Sequence, residues 1–273
     1  MNRKLKDKIF QFFIYLSVSI VSFVLLFITG YVLYKGFSSI NLDFFIRLPK
    51  PVGEKGGGMV NAIVGSFMIV GIASLFSIPL SILTGVYLSE YKNEKFANIV
   101  RSSLEILGAV PSIVIGVFVY GLVVYPMKRF SLLAGSIALS IIMIPLIART
   151  TEEMLNMVPT TIKEAGLSLG IKNWKVIFYI ILNTAKPGVL TGVLLSLARV
   201  FGETAPLLFT SFGNRFWHRS ILDPAAALPL QIFVYAIAPY DDWNRQAWAG
   251  AFVLIVIVYI LTIVSRRLVL KYK

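Results

Sequence analysis

The sequence predicts an all-α integral membrane protein with six transmembrane helices. Hydrophobic residues make up 57% of the 273-residue chain and charged residues only 14%, with a mean hydropathy of +0.81. A soluble domain of this length cannot hide so much apolar surface. The charges also fall in short segments between uncharged runs of about 20 residues or more, the length that crosses a hydrocarbon core about 30 Å thick. The 20 Phe and 12 Tyr residues supply rings suited to lipid and to the membrane interface.

The uncharged runs locate the spans in order. Residues 9–34 follow a basic segment of Arg3, Lys4, Lys6 and Lys8. Their 26-residue apolar stretch is longer than the core of a secretory signal, and no small-x-small cleavage site follows, so they read as a retained first helix. Within the run 56–89, residues 61–88 form the second helix; 106–127 and 130–148 give the third and fourth. The fifth, 176–210, is apolar but carries Lys186, Arg199 and Glu203, and 246–265 is the sixth.

Orientation follows from Lys and Arg. With the N-terminus inside, segments 1–8, 90–105, 149–175 and 266–273 hold 15 of these residues, against 9 in segments 35–55, 128–129 and 215–245. The positive-inside rule therefore places both termini in the cytoplasm. The net charge of +13 belongs to loops facing anionic lipid rather than to a nucleic-acid surface.

Residue counts exclude several chemistries. The chain has no cysteine, which removes disulfides, thiolate metal sites and thiol catalysis. Its single histidine, His218, precludes a histidine metal cluster and is expected in a surface cluster with Phe216 and Trp217. No Gly-x4-Gly-Lys-Ser/Thr motif occurs, so ATP-driven work would need a separate ATPase subunit, and no cofactor is expected here.

Two connections exceed what linking helices requires. The inner one, 149–175, has helical texture over 151–155 and again after Pro159, where Thr160 is expected to cap a helix containing Lys163, Glu164 and Ala165. The outer one, 211–245, is rich in Pro, Trp and Tyr and is expected to be ordered.

Within the spans, Arg199 and Glu203 stand four residues apart, hence on one helix face. Each would cost about 2.5–3.5 kcal/mol at the bilayer centre, so the pair turns toward protein or an aqueous pathway. Arginine suits an oxyanion because its planar fork donates parallel hydrogen bonds. Glu203 then holds the guanidinium or accepts from a protonated oxyanion; a structural ion pair between helices is the other reading. Pro206 is expected to end or kink this helix. Gly56–Gly58 reads as a flexible helix entry, with an anion-binding amide nest as the alternative. Lys186-Pro187-Gly188 reads as an interfacial kink with a snorkelling lysine. Arg149 reads as an interfacial anchor, with a pathway role as the alternative.

The inner connection carries Glu164-Ala165-Gly166, three residues, Gly170, nine residues, and Ile180-Ile181-Leu182-Asn183. This resembles the EAA loop of ABC importer permeases, whose pattern has Ala at the third position and Pro at the last. Five further segments, in order, are GGGMVNAIVGS (56–66), PLSILTGVYLSEY (79–91), GAVPSIVIGVFVY (108–120), RTTEEML (149–155) and ARVFGETAPLLFT (198–210). From residue 56 onward the chain is similar to the phosphate permeases of the PstA family. That resemblance implies a type I ABC importer permease fold in which residues 1–55 form an added helix and outer loop, and 56–273 the permease domain with a coupling loop at about 150–175. It implies a PstC-like sister permease, a PstB-like ATPase dimer that binds the ATP, and a PstS-like protein delivering inorganic phosphate from outside. It assigns Arg199 and Glu203, and Arg149, to the phosphate path, and Glu164, Ala165, Gly166 and Gly170 to ATPase coupling. The alternatives are a molybdate or sulfate importer of similar mechanism, an ion-coupled secondary carrier, which would show repeats with broken helices, and a membrane-bound enzyme.

Overall fold

The structure, a computed structural model, describes residues 3–54 and 56–271. Among these residues the regular elements are all helical: α1 (Arg3–Phe37), α2 (Leu42–Ile46), α3 (Val60–Glu90), α4 (Lys95–Ala109), α5 (Ser112–Met127), α6 (Leu132–Asn156), α7 (Thr160–Ser168), α8 (Asn173–Phe201), α9 (Ala205–Thr210), α10 (Leu228–Ala236) and α11 (Asp241–Lys271). Five of them, α1, α3, α6, α8 and α11, are each long and apolar enough to cross a membrane, and α4 with α5 gives a sixth only as a bent pair.

That pair corrects the third expected span. Residues 106–127 are not one helix: the axis turns by 102° between α4 and α5. Val110 is extended at φ −65°, ψ 130°. The ring of Pro111 disfavours helical geometry in the residue before it, which is enough to break the helix there. α4 packs on α6 as an amphipathic helix, with Ala97 and Leu104 buried and Phe96, Ile99 and Ile106 exposed.

The fourth span extends further than its apolar run. Ser131 starts α6 by accepting a hydrogen bond on Oγ from the Ala134 amide at 3.1 Å. The helix runs past Ala148 to Asn156, so Arg149 and the residues after it ride on the span rather than in a loop. α8 contains a π-helical segment, Val176–Ile181, and stops at Phe201. Pro206 lies in the first turn of α9, where its missing N–H has no intrahelical role.

α6 is the central element, with α3 packed along it, and the core gathers around Leu139, Met143 and Ile147. The two helices approach closely where a Cβ on Gly85 would lie 2.6 Å from the Thr151 Cβ. α1 stands outside this core and packs on α11, Tyr31 meeting Trp248 edge-on with ring centroids 5.4 Å apart.

The outer connection folds into the body, as its composition predicts. The amides of Leu132 and Leu133 donate to the carbonyls of Asp223 and Ile221 at 2.8 and 2.9 Å. These bonds satisfy first-turn donors of α6 that have no partner within the helix. The Leu228 amide donates to Ser66 Oγ at 2.7 Å, tying α10 to α3.

Candidate substrate pathway and coupling site

Arg199 lies on the last turn of α8, and Glu203 lies just beyond the helix end in the break before α9. The expectation of one continuous helix face is therefore corrected. The chain still turns enough to leave Arg199 Nε 3.6 Å from Glu203 Oε1. That is ion-pair distance but too long for a hydrogen bond. The Arg199 side chain is 50% exposed and that of Glu203 17%, so the guanidinium keeps its donors available.

The Arg199 guanidinium does not stand alone. A cleft of about 400 Å³ opens between α4, α6 and α8, lined among others by Glu105, Gly108, Pro145, Leu146, Arg149 and Arg199. The structure thus brings Arg149 and Arg199 to one cavity, while Glu203 is set back from its lining. Arg149 also forms an ion pair, Nη2 to Oε1, with Glu105 of α4. Sequence reasoning missed Glu105. Its only signal was a carboxylate bordering the apolar run, and nothing in the sequence links it to a residue 44 positions away.

α4 is held to α6 by a second pair of opposite polarity. Arg101 donates to Glu152 Oε1 from Nε at 3.0 Å and from Nη2 at 2.7 Å, and Glu152 is buried. With two donors converging on one buried carboxylate, this contact is the fixed tie between the helices.

At the far end of α6 the connection forms α7. Pro159, not Thr160, occupies the N-cap position, and no side chain caps the helix. Gly166 is the buried residue of α7, where a Cβ would lie 3.1 Å from Val176 and 3.3 Å from Ile180. Glycine at this third position lets α7 seat closely on the π-helical segment of α8. Asn183, where the loop pattern has proline, donates from its side chain to the Tyr179 carbonyl at 3.0 Å, so the irregularity here comes from the π segment that precedes it. Gly170 has φ +74°, a left-handed turn directly after the helix. Glu164, Ala165 and Leu169 point outward and are exposed. Lys163 forms an ion pair with Glu90 at the end of α3.

The remaining candidates fall elsewhere. Gly56 and Gly57 do have positive φ. The Gly56 amide donates to Asp242 Oδ2 at 3.2 Å and the Gly58 amide to the Leu48 carbonyl, so these donors serve the chain itself rather than a foreign anion. Lys186 and Pro187 lie within α8, which continues through them. Phe216 and Trp217 are exposed, and His218 Nε2 lies 2.8 Å from Met68 Sδ.

Residues 77–272 match the family of binding-protein-dependent transport system inner membrane components. The chain is 43% identical over 265 residues to the phosphate transport system permease protein PstA of Haemophilus influenzae, covering 97% of this chain and 94% of that one. It is 37% identical over 256 residues to a probable phosphate transport system permease protein PstA of Methanocaldococcus jannaschii, covering 93% and 90%. Among solved structures, a bacterial alginate ABC transporter matches with TM-score 0.63 at 13% identity, covering 99% of this chain and 94% of that chain. The MetNI methionine ABC transporter matches with TM-score 0.61 at 18% identity, covering 78% and 93%. The structural likenesses bear on the fold, which is that of type I ABC importer permeases, and the sequence relatives on the family. The chain belongs to the binding-protein-dependent transport system inner membrane components and, within them, to the PstA family: it is the permease component of an ABC transporter.

Proposed function

We propose that the chain conducts inorganic phosphate across the cytoplasmic membrane as one permease of an ATP-driven importer, with both termini in the cytoplasm. It pairs with a PstC-like permease, receives phosphate from a PstS-like binding protein, and is driven by a PstB-like ATPase dimer that holds the ATP. The names of its relatives support phosphate over molybdate or sulfate. The observation that carries the reading is the shared cleft of Arg149 and Arg199. Two guanidiniums from different helices offer an oxyanion charge and fork-shaped donors at one place. Each already faces a carboxylate, Glu105 or Glu203, which weakens the hold on a passing anion so that it also leaves. Glu203 orients Arg199.

In the same proposal α7 is the coupling element. Glu164, Ala165, Gly166 and Gly170 shape a short helix that docks into a groove of the ATPase. The Lys163–Glu90 ion pair and the seat of Gly166 on α8 pass its movement to α3 and α8, and α8 carries Arg199.

The test is transport in cells that lack their own phosphate permease and express this chain with its partners. Energy-dependent uptake of phosphate, unaffected by excess molybdate or sulfate, is expected. Uptake of molybdate in place of phosphate would overturn the substrate assignment.

A further inference from the structure

Glu105 is the one charged residue of the cleft wall to which the conduction pathway gives no role beyond weakening Arg149's hold. It lies on α4, 57% exposed, between the exposed apolar residues Ile106 and Leu107 on one side and buried Leu104 on the other. A carboxylate on the wall of a cleft that otherwise offers two guanidiniums opposes any anion held there, and its presence needs a reason. Holding α4 to α6 is not that reason, because Arg101 and Glu152 already do so one turn earlier, with two donors on a buried carboxylate. The Glu105 contact is slighter. Only Oε1 engages Arg149, and only through Nη2; among the described residues Oε2 and the other guanidinium donors have no partner.

We propose that Glu105 is a specificity-determining residue for the permeating anion. Its carboxylate accepts a hydrogen bond from a protonated oxyanion held by Arg149 and Arg199, and it repels an oxyanion that carries no proton. An ionised carboxylate has acceptors and no donor. Inorganic phosphate keeps at least one P–OH near neutral pH and can donate to it. Sulfate has no O–H there and meets only like charge. Geometry singles out Glu105 over Glu203, since Glu105 lines the cleft and Glu203 does not. The inference rests on the cleft being the anion's path, and it deepens that reading by placing a selectivity step in the permease itself.

The absence of native cysteine gives a direct probe. Leu146→Cys, on the cleft wall, is introduced and its maleimide labelling rate is measured in the assembled transporter with inorganic phosphate or sulfate added. With Glu105 present, phosphate slows labelling and sulfate at the same concentration does not. In Glu105→Gln, sulfate protects at a concentration lower by about tenfold or more, the factor carried by one hydrogen bond to a charged group. Phosphate still protects, which shows the variant is folded, and Glu105→Asp keeps sulfate out. Equal protection by sulfate with and without the Glu105 carboxylate overturns the inference. If phosphate fails to protect even with Glu105 intact, the cleft is not the anion's path, and the pathway reading falls first.

Discussion

Arg199 interrupts an apolar run, and that interruption alone makes it visible in the sequence: a guanidinium among Leu, Val and Phe has to face something polar. Glu203 is visible for the same reason, but its place just past the helix end is set by the break before α9. What it contributes follows from distance and exposure. A 3.6 Å pair with one half-exposed partner contributes at most about 1 kcal/mol. Glu203→Gln should therefore leave thermal stability nearly unchanged and reduce phosphate uptake less than Arg199→Gln does. Arg199→Lys, which keeps the charge but loses the fork, should fall between them. Uptake rates for the three variants, normalised to assembled complex, check the order; Glu203→Gln as damaging as Arg199→Lys would contradict the orienting role. Arg149 is harder to read from sequence. At the edge of a span an arginine is usually an anchor, and only the packing of α4 on α6 reveals its partner Glu105 and its cleft.

Helices follow the apolar runs wherever hydrophobicity decides the matter, and depart from them where the backbone does. α6 continues two turns beyond the apolar run because nothing stops it before Asn156. α4 and α5 separate because Pro111 acts on Val110, a local effect that the apolar count of 106–127 conceals. The π segment of α8, Val176–Ile181, lies within an apolar run that reads equally as ordinary helix. α7 is legible from its spacing, and its left-handed stop at Gly170 is the feature that a mutation reaches most cleanly. At φ +74° a substitution at Gly170 strains the backbone by about 1–2 kcal/mol, and because a Cβ there meets nothing within 4 Å it changes the outward surface without disturbing the core. Gly170→Arg should leave the chain in the membrane and release or uncouple the ATPase. Purified complexes that retain both the ATPase and phosphate-stimulated hydrolysis would contradict the coupling assignment.

Across the whole molecule, the five single-helix spans are legible because a bilayer imposes one length and one polarity on each crossing, whereas the bent pair α4 and α5 is not. What the sequence conceals is how the spans pack: α6 at the centre, α3 laid along it, α1 set apart on α11, and the outer connection satisfying the first amides of α6. The proposed orientation, with both termini in the cytoplasm, rests on the Lys and Arg distribution alone, since residues 1–2 and 272–273 lie outside the described residues. Single cysteines at Ser168 and Ser220 report on this orientation. Impermeant maleimide added to intact cells should label Ser220→Cys and spare Ser168→Cys, and the reverse pattern would invert the topology. The central claim is that an oxyanion crosses through the cleft that Arg149 and Arg199 share. Phosphate uptake by proteoliposomes holding the assembled transporter with Arg199→Gln tests it most directly: uptake should fall by more than about tenfold, the loss of one charge-assisted contact, while the permease and ATPase remain associated. Uptake at the wild-type rate in such complexes would contradict the claim and leave Arg199 only a structural ion pair.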